Sequence, residues 1–268
     1  MPDAALPAAP ARSAPAAFAG GAVIGALGGL IGLGGAEFRL PLLISAFRFA
    51  ALQAVILNKA MSLVVVASAL PFRAAAVPLA SLAAHWTVIA NLLAGSLLGA
   101  WFGAGWAMRL SSKALHRTIA AMLFGIALVL VLGHDAASGA LLTGPAQTVA
   151  GVVSGFGIGV VAALLGVAGG ELLIPTLVLL FGADIKLAGS FSLAVSLPTM
   201  LVGFARYSRD RSFVVLRENG RFVLAMAAGS VAGSFVGGRL LGLVSDAVLP
   251  PLLSVVLVLS ALKVWRHK

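Results

Sequence analysis

The residues of this chain that could do chemistry are few, and they recur. Gly32-Leu33-Gly34-Gly35-Ala36-Glu37, with Pro41 four positions beyond the acid, returns as Gly166-Val167-Ala168-Gly169-Gly170-Glu171, with Pro175 in the same place. The offset of 134 holds without a gap through Leu43/Leu177, Phe47/Phe181, Ala54/Ala188 and Ser62/Ser196, and backwards to Gly25/Gly159. An internal repeat keeps register over that distance; a coincidence of glycines does not. In each copy a long apolar run stops at the glycines and an acid follows in the first turn of the next helix. Such a break, at depth in an apolar chain, is tolerated where protein or a water-filled cavity surrounds it, and so marks a candidate binding site. The first N–H groups of the restarted helix lack intrahelical partners and can receive an oxyanion. Gly34, Gly35, Gly169 and Gly170 are therefore the first candidates to bind substrate, the competing reading being that they only let helices cross closely.

Lys59 adds a charge. About seven residues into its helix, at ~1.5 Å per residue, it sits on the order of 10 Å deep, where a cation needs a cavity or a partner. The equivalent position, Leu193, offers none, which leaves Glu37 or the substrate, and the expectation here is the substrate. Asn58 and Ser62 would supply hydrogen bonds beside it, and Ser192 and Ser196, with Ser190 nearby, the opposite wall. Glu37 and Glu171 either cap the restarted helices, where a negative charge suits the dipole, or carry protons in a coupled cycle. Capping is favoured, because a fixed negative charge would repel an anion. Arg39, Lys186 and Asp184 stand near segment ends, where snorkelling accounts for them as well as substrate attraction does. Asn91, Trp86 and His85 read as interfacial anchors or helix–helix hydrogen bonds.

These groups are set in a chain of 268 residues that is 61% hydrophobic and only 10% charged, with a mean hydropathy of +1.11. No soluble domain hides that much apolar surface, so the chain is an all-α polytopic membrane protein. The net charge of +10 lies mostly between apolar runs, the pattern of membrane topology and not of nucleic-acid binding. There is no cysteine, and His85, His116, His134 and His267 are scattered; disulfides, thiolate chemistry and a metal cluster are not expected. Nothing resembles a phosphate-binding loop, so no nucleotide or other cofactor is expected and energy would come from a gradient.

Residues 1–15 read as a disordered cytoplasmic tail and 134–147 as an extracytoplasmic linker between two membrane repeats, 16–133 and 148–268. The first repeat offers segments at Ala16–Leu33, Glu37–Phe49, Ala51–Leu70 closed by Pro71, His85–Met108 and Leu115–Leu132. The second offers Thr148–Leu165, Glu171–Phe181, Ile185–Phe204, Phe222–Leu243 and Ala247–Val264. Glu37–Phe49 is about half the length that a ~30 Å core requires. If the short segments reverse the chain, each repeat has five crossings and the second copy is inverted. The charges favour this. The loop after the third segment holds Arg73 in the first half but Arg206, Arg209, Arg211, Arg217 and Arg221 in the second; the next loop holds Arg109, Lys113 and Arg117 against Ser245 and Asp246. Equivalent loops of opposite bias lie on opposite sides of the membrane. Both termini are then cytoplasmic, and the Arg206–Arg221 loop also suits contact with anionic lipid.

The repeated glycine stretch ending in Pro41 and Pro175 resembles the signature of the sulfite exporter TauE/SafE family, over nearly all of the chain after residue 16. Each copy replaces one signature glycine by alanine, Ala36 and Ala168. The resemblance implies secondary transport of a small anion, typically sulfite or an organosulfonate, across the cell's inner, cytoplasmic membrane. A passive anion channel, or a transporter of another small anion, is the alternative, because broken helices also form pores. A membrane-embedded enzyme falls behind both, for want of clustered acid–base or metal-binding residues.

Overall fold

The computed structural model describes residues 13–31, 35–76, 79–132, 142–183 and 185–240, together with 258, 262 and 264. Among these there is no strand. Eleven α-helices follow one another: α1 (Ala14–Ile31), α2 (Ala36–Ser45), α3 (Ala51–Ala76), α4 (Leu79–Ala84), α5 (Trp86–Arg109), α6 (Ser112–Leu132), α7 (Gly144–Leu165), α8 (Gly170–Phe181), α9 (Ile185–Tyr207), α10 (Val215–Glu218) and α11 (Gly220–Leu240), with a 3₁₀ turn at Arg211–Val214 before α10. Five helices contain a stretch long and apolar enough to cross a membrane: Ala51–Ser68, Trp86–Arg109, Gly144–Leu165, Leu187–Tyr207 and Gly220–Gly237. Their outer faces leave Leu98, Phe102, Val149, Val153 and Leu224 exposed, an apolar surface that suits lipid and not water.

Most segment positions agree with the sequence within a few residues. Several boundaries differ; α2, for one, ends at Ser45, four residues short of Phe49. Helix α3 continues to Ala76 and is not closed by Pro71; α1 starts at Ala14, inside the stretch read as a tail; and α7 starts at Gly144, inside the stretch read as a linker. Pro145 at the first turn of α7 costs nothing, since the N–H it lacks would be unpartnered there anyway. The segment Ala247–Val264 lies outside the described residues except at 258, 262 and 264.

The halves are interlocked through small residues. Helix α5 packs along α7, and α11 along α1. A Cβ on Gly95, Gly99 or Gly103 would run into the backbone of Val152, Phe156 or Val160; a Cβ on Gly229, Gly233 or Gly237 would run into that of Phe18, Ala22 or Ala26. The two sets are the same contacts displaced by 134 residues. The reciprocal pairs agree: Gly155 on Leu92 and Gly159 on Ser96 match Gly21 on Met226 and Gly25 on Ser230. Each half thus lends its opening helix to the other, with backbones at a distance that only glycine permits.

Residue pairings also give direction. In both seams the numbers rise together, so α5 runs parallel to α7 and α11 to α1. Helix α5 also runs parallel to α9, with Ser96 bonded to Thr199 (2.7 Å) and Gly105 beside Arg206. Since α7 and α9 share a direction, the short α8 between them carries the chain back. Its far end returns to the start of α7, where Gln147 Nε2 donates to Leu180 O (2.7 Å).

Candidate functional site

The centre of the molecule is built on the end of α7. After Leu165, Gly166 turns left-handed (φ 67°) and sits so close to α3 that a Cβ would meet the Val55 carbonyl; conformation and space both require glycine there. Ending a helix in the protein interior frees carbonyls that must find donors. The Gly166 and Val167 amides turn back onto Ala163 and Ala162, and side chains from two other helices supply the rest. Lys59 Nζ donates to Ala162 O (2.7 Å) and Val167 O (3.1 Å), Asn58 Nδ2 to Leu165 O (3.0 Å), and Tyr207 Oη to Ala163 O (3.0 Å). A basic side chain at a helix C-terminus also suits the dipole.

This revises the reading of Lys59. The choice between Glu37 and the substrate omitted the carbonyls that the break itself releases, and these hold the side chain, which has no exposed surface. Asn58 is likewise a brace: its amide bridges Leu165 O and Ala36 O (2.9 Å), tying the end of α7 to the start of α2. Tyr207 was missed altogether. Its signal was available, as the only tyrosine of the chain, closing a long apolar segment.

The restarted helices follow the repeat. Gly35 (φ 69°) precedes α2 and Gly169 (φ 83°) precedes α8, both left-handed; Gly34 lies outside the described residues. Glu37 and Glu171 occupy equivalent first turns, are almost wholly buried, and approach each other closely enough to interact directly. Neither oxygen of Glu171 completes a hydrogen bond, and Glu37 Oε1 has none, so for Glu171 what is left of a capping role is the dipole. Arg39 is also fully buried and within electrostatic reach of Glu37, which replaces the snorkelling reading. Ser62, Ser192 and Ser196 are buried, as is Ser190. Ser192 donates to Gly189 O of its own helix (2.9 Å), while the Ser62 and Ser190 hydroxyls have no partner. Among the described residues no three His, Asp or Glu side chains could hold a metal.

Outside the centre, Asn91 Nδ2 donates to Thr148 O (2.9 Å), a hydrogen bond between α5 and α7 as expected, and Trp86 is exposed at the start of α5. Arg206 and Arg209 both lie over the Trp101 ring, at 4.7 and 5.2 Å, fixing the arginine-rich loop to α5.

No curated protein and no solved structure matches the chain. A family model described as "Sulfite exporter TauE/SafE" matches residues 16–264. The match spans both repeats and the two breaks at their meeting point, and the chain belongs to this family of membrane transport proteins.

Proposed function

We propose that the protein is a secondary transporter that exports a small oxyanion, sulfite or an organosulfonate, across the inner membrane. The observation that carries this reading is the pair of half-helices α2 and α8, which start inside the protein at left-handed Gly35 and Gly169. Their first amides are the donors offered to the anion. Gly34, Gly170, Ser62, Ser192 and Ser196 complete the site, and Asn58 and Lys59 hold its frame.

The repeats are inverted and both termini are cytoplasmic. The equivalent helices α3 and α9 support this by their opposed directions: Lys59 lies against Gly203 (3.6 Å), while the later Leu63 and Val66 cluster with the earlier Leu193, Leu197 and Met200. The charge bias of the equivalent loops points the same way. Purified protein in liposomes, given sulfite, sulfate, thiosulfate, sulfoacetate and a carboxylate control, tests the function. A transporter gives saturable flux that is stimulated by substrate on the opposite side. Flux that neither saturates nor responds to opposite-side substrate would make the protein a channel, and no flux of any of these anions would refute the proposal.

A further inference from the structure

Glu37 and Glu171 are the acids of the repeat, and the fold brings them together. They are 2% and 4% exposed, and their carboxyls interact directly. Yet Glu37 Oε1 and both Glu171 oxygens are without a hydrogen-bond partner. Two ionised carboxylates offer each other only acceptors, and away from water their repulsion is weakly screened. A proton between them removes the repulsion and converts the contact into a charge-assisted hydrogen bond. Asn58 adds an independent sign. Its amide nitrogen is anchored on Ala36 O, next to Glu37, while its Oδ1, also buried, is one more acceptor without a donor. The unpartnered atoms of the pair and of Asn58 are thus all oxygens that accept.

We infer that Glu37 and Glu171 share a single proton and form the site at which proton binding is linked to passage of the anion. The linkage to the anion rests on the reading of the breaks given above; the shared proton does not. The groups around the pair are few. Helices α1 and α7 carry no titratable side chain. Helix α2 brings Arg39, and α3 brings Lys59, held on the carbonyls of Ala162 and Val167. On α9, Tyr207 donates to Ala163 O and Arg206 lies over Trp101. On α6, which touches α8, Lys113 and Arg117 are exposed and His116 is half-buried, all in its first two turns. At formal charges Arg39 and Lys59 balance the two acids, so the centre is neutral without the proton and carries one positive charge with it. The protonated centre attracts an anion, and the deprotonated one does not.

Infrared spectra of the full-length protein, titrated with acid and base in the absence of any anion, read the pair directly. Wild type should show the band of a protonated, hydrogen-bonded carboxylic acid near neutral pH. Glu37→Gln and Glu171→Gln should each remove or shift it, and Lys59→Arg, the control for the other buried group able to exchange a proton, should keep it. No such band in wild type, or the same band in both Gln variants, overturns the shared proton; the wild-type titration decides this even if a variant fails to insert. In liposomes containing a pH-sensitive dye, net sulfoacetate flux down its gradient by wild type should move protons, whereas the Gln variants should keep sulfoacetate exchange, which moves no net proton, with net flux and its proton movement lowered about tenfold. Net flux that needs sodium and moves no protons would assign the pair to a metal cation and overturn the inference. If no anion is exchanged at all, it is the transport reading and the linkage that fail, while the infrared band still judges the proton.

Discussion

Replacing Lys59 by methionine tests whether this side chain braces the break or binds the substrate. The structure gives Nζ two bonds, to Ala162 O and Val167 O, and methionine keeps most of the stem volume while leaving both carbonyls without that donor. Hydrogen bonds involving a charged group contribute about 1.5–3 kcal/mol each in water-soluble proteins. Measured interhelical bonds in a membrane protein average about 0.6 and reach about 1.7 kcal/mol. The membrane range is the relevant one, and for two bonds it gives a loss of about 1–3 kcal/mol. At roughly 2–4 °C per kcal/mol for chains of this size, the unfolding midpoint in detergent should fall by several degrees. Lys59→Arg should recover part of the loss, since guanidinium keeps the charge and the donors but not the shape. Anion affinity, measured by calorimetry on the folded fraction, should change less than tenfold. An unchanged midpoint together with a tenfold or greater loss of affinity would refute this and return Lys59 to the substrate.

Three further outcomes follow from the glycines and the topology. Gly169→Ala should reduce flux and cost about 1–2 kcal/mol, because the left-handed backbone penalises any Cβ and the new atom would lie 3.2 Å from Ile158; Gly157→Ala, with open space around it, should leave flux and midpoint unchanged. Gly159→Leu should yield little folded protein, since a side chain there collides with the Ser96 carbonyl and forces α5 from α7, and size-exclusion chromatography after membrane extraction reads this. A reporter fused after Ala137 should be active on the extracytoplasmic side only; cytoplasmic activity would refute the inverted arrangement.

The fold was legible where the signal repeats or covers a whole segment. Hydropathy located the long helices, and the offset of 134 found the two breaks. The seams were less legible: Gly21 and Gly25 recur 134 residues on as Gly155 and Gly159, but the repeat does not say that each opening helix packs on the other half. Nothing in a hydropathy pattern says which of several equally apolar helices a glycine face will meet, because lipid and protein are alike to an apolar surface. Pro71 misled for a different reason. Its missing N–H forfeits only one hydrogen bond, and inside a membrane protein neighbouring groups can make good that loss, so the helix runs on.

The same symmetry that exposed the breaks concealed what stabilises them. Comparing Lys59 with Leu193 made the lysine look uncompensated, and so a ligand for something else. The side chains that satisfy the end of α7 have no counterparts in the other half: Lys59, Asn58 and Tyr207 correspond to Leu193, Ser192 and Arg73. Asking first where the backbone groups of a broken helix go would have found them, since an interior helix end releases several carbonyls at once and each needs a donor. Glu37 and Glu171 show the converse. They do obey the repeat, and because capping and proton carriage were weighed for each acid alone, the consequence of pseudo-symmetry went unread. Equivalent residues on half-helices that start on either side of one centre are brought face to face there, and the contact of two like charges away from water favours a proton between them.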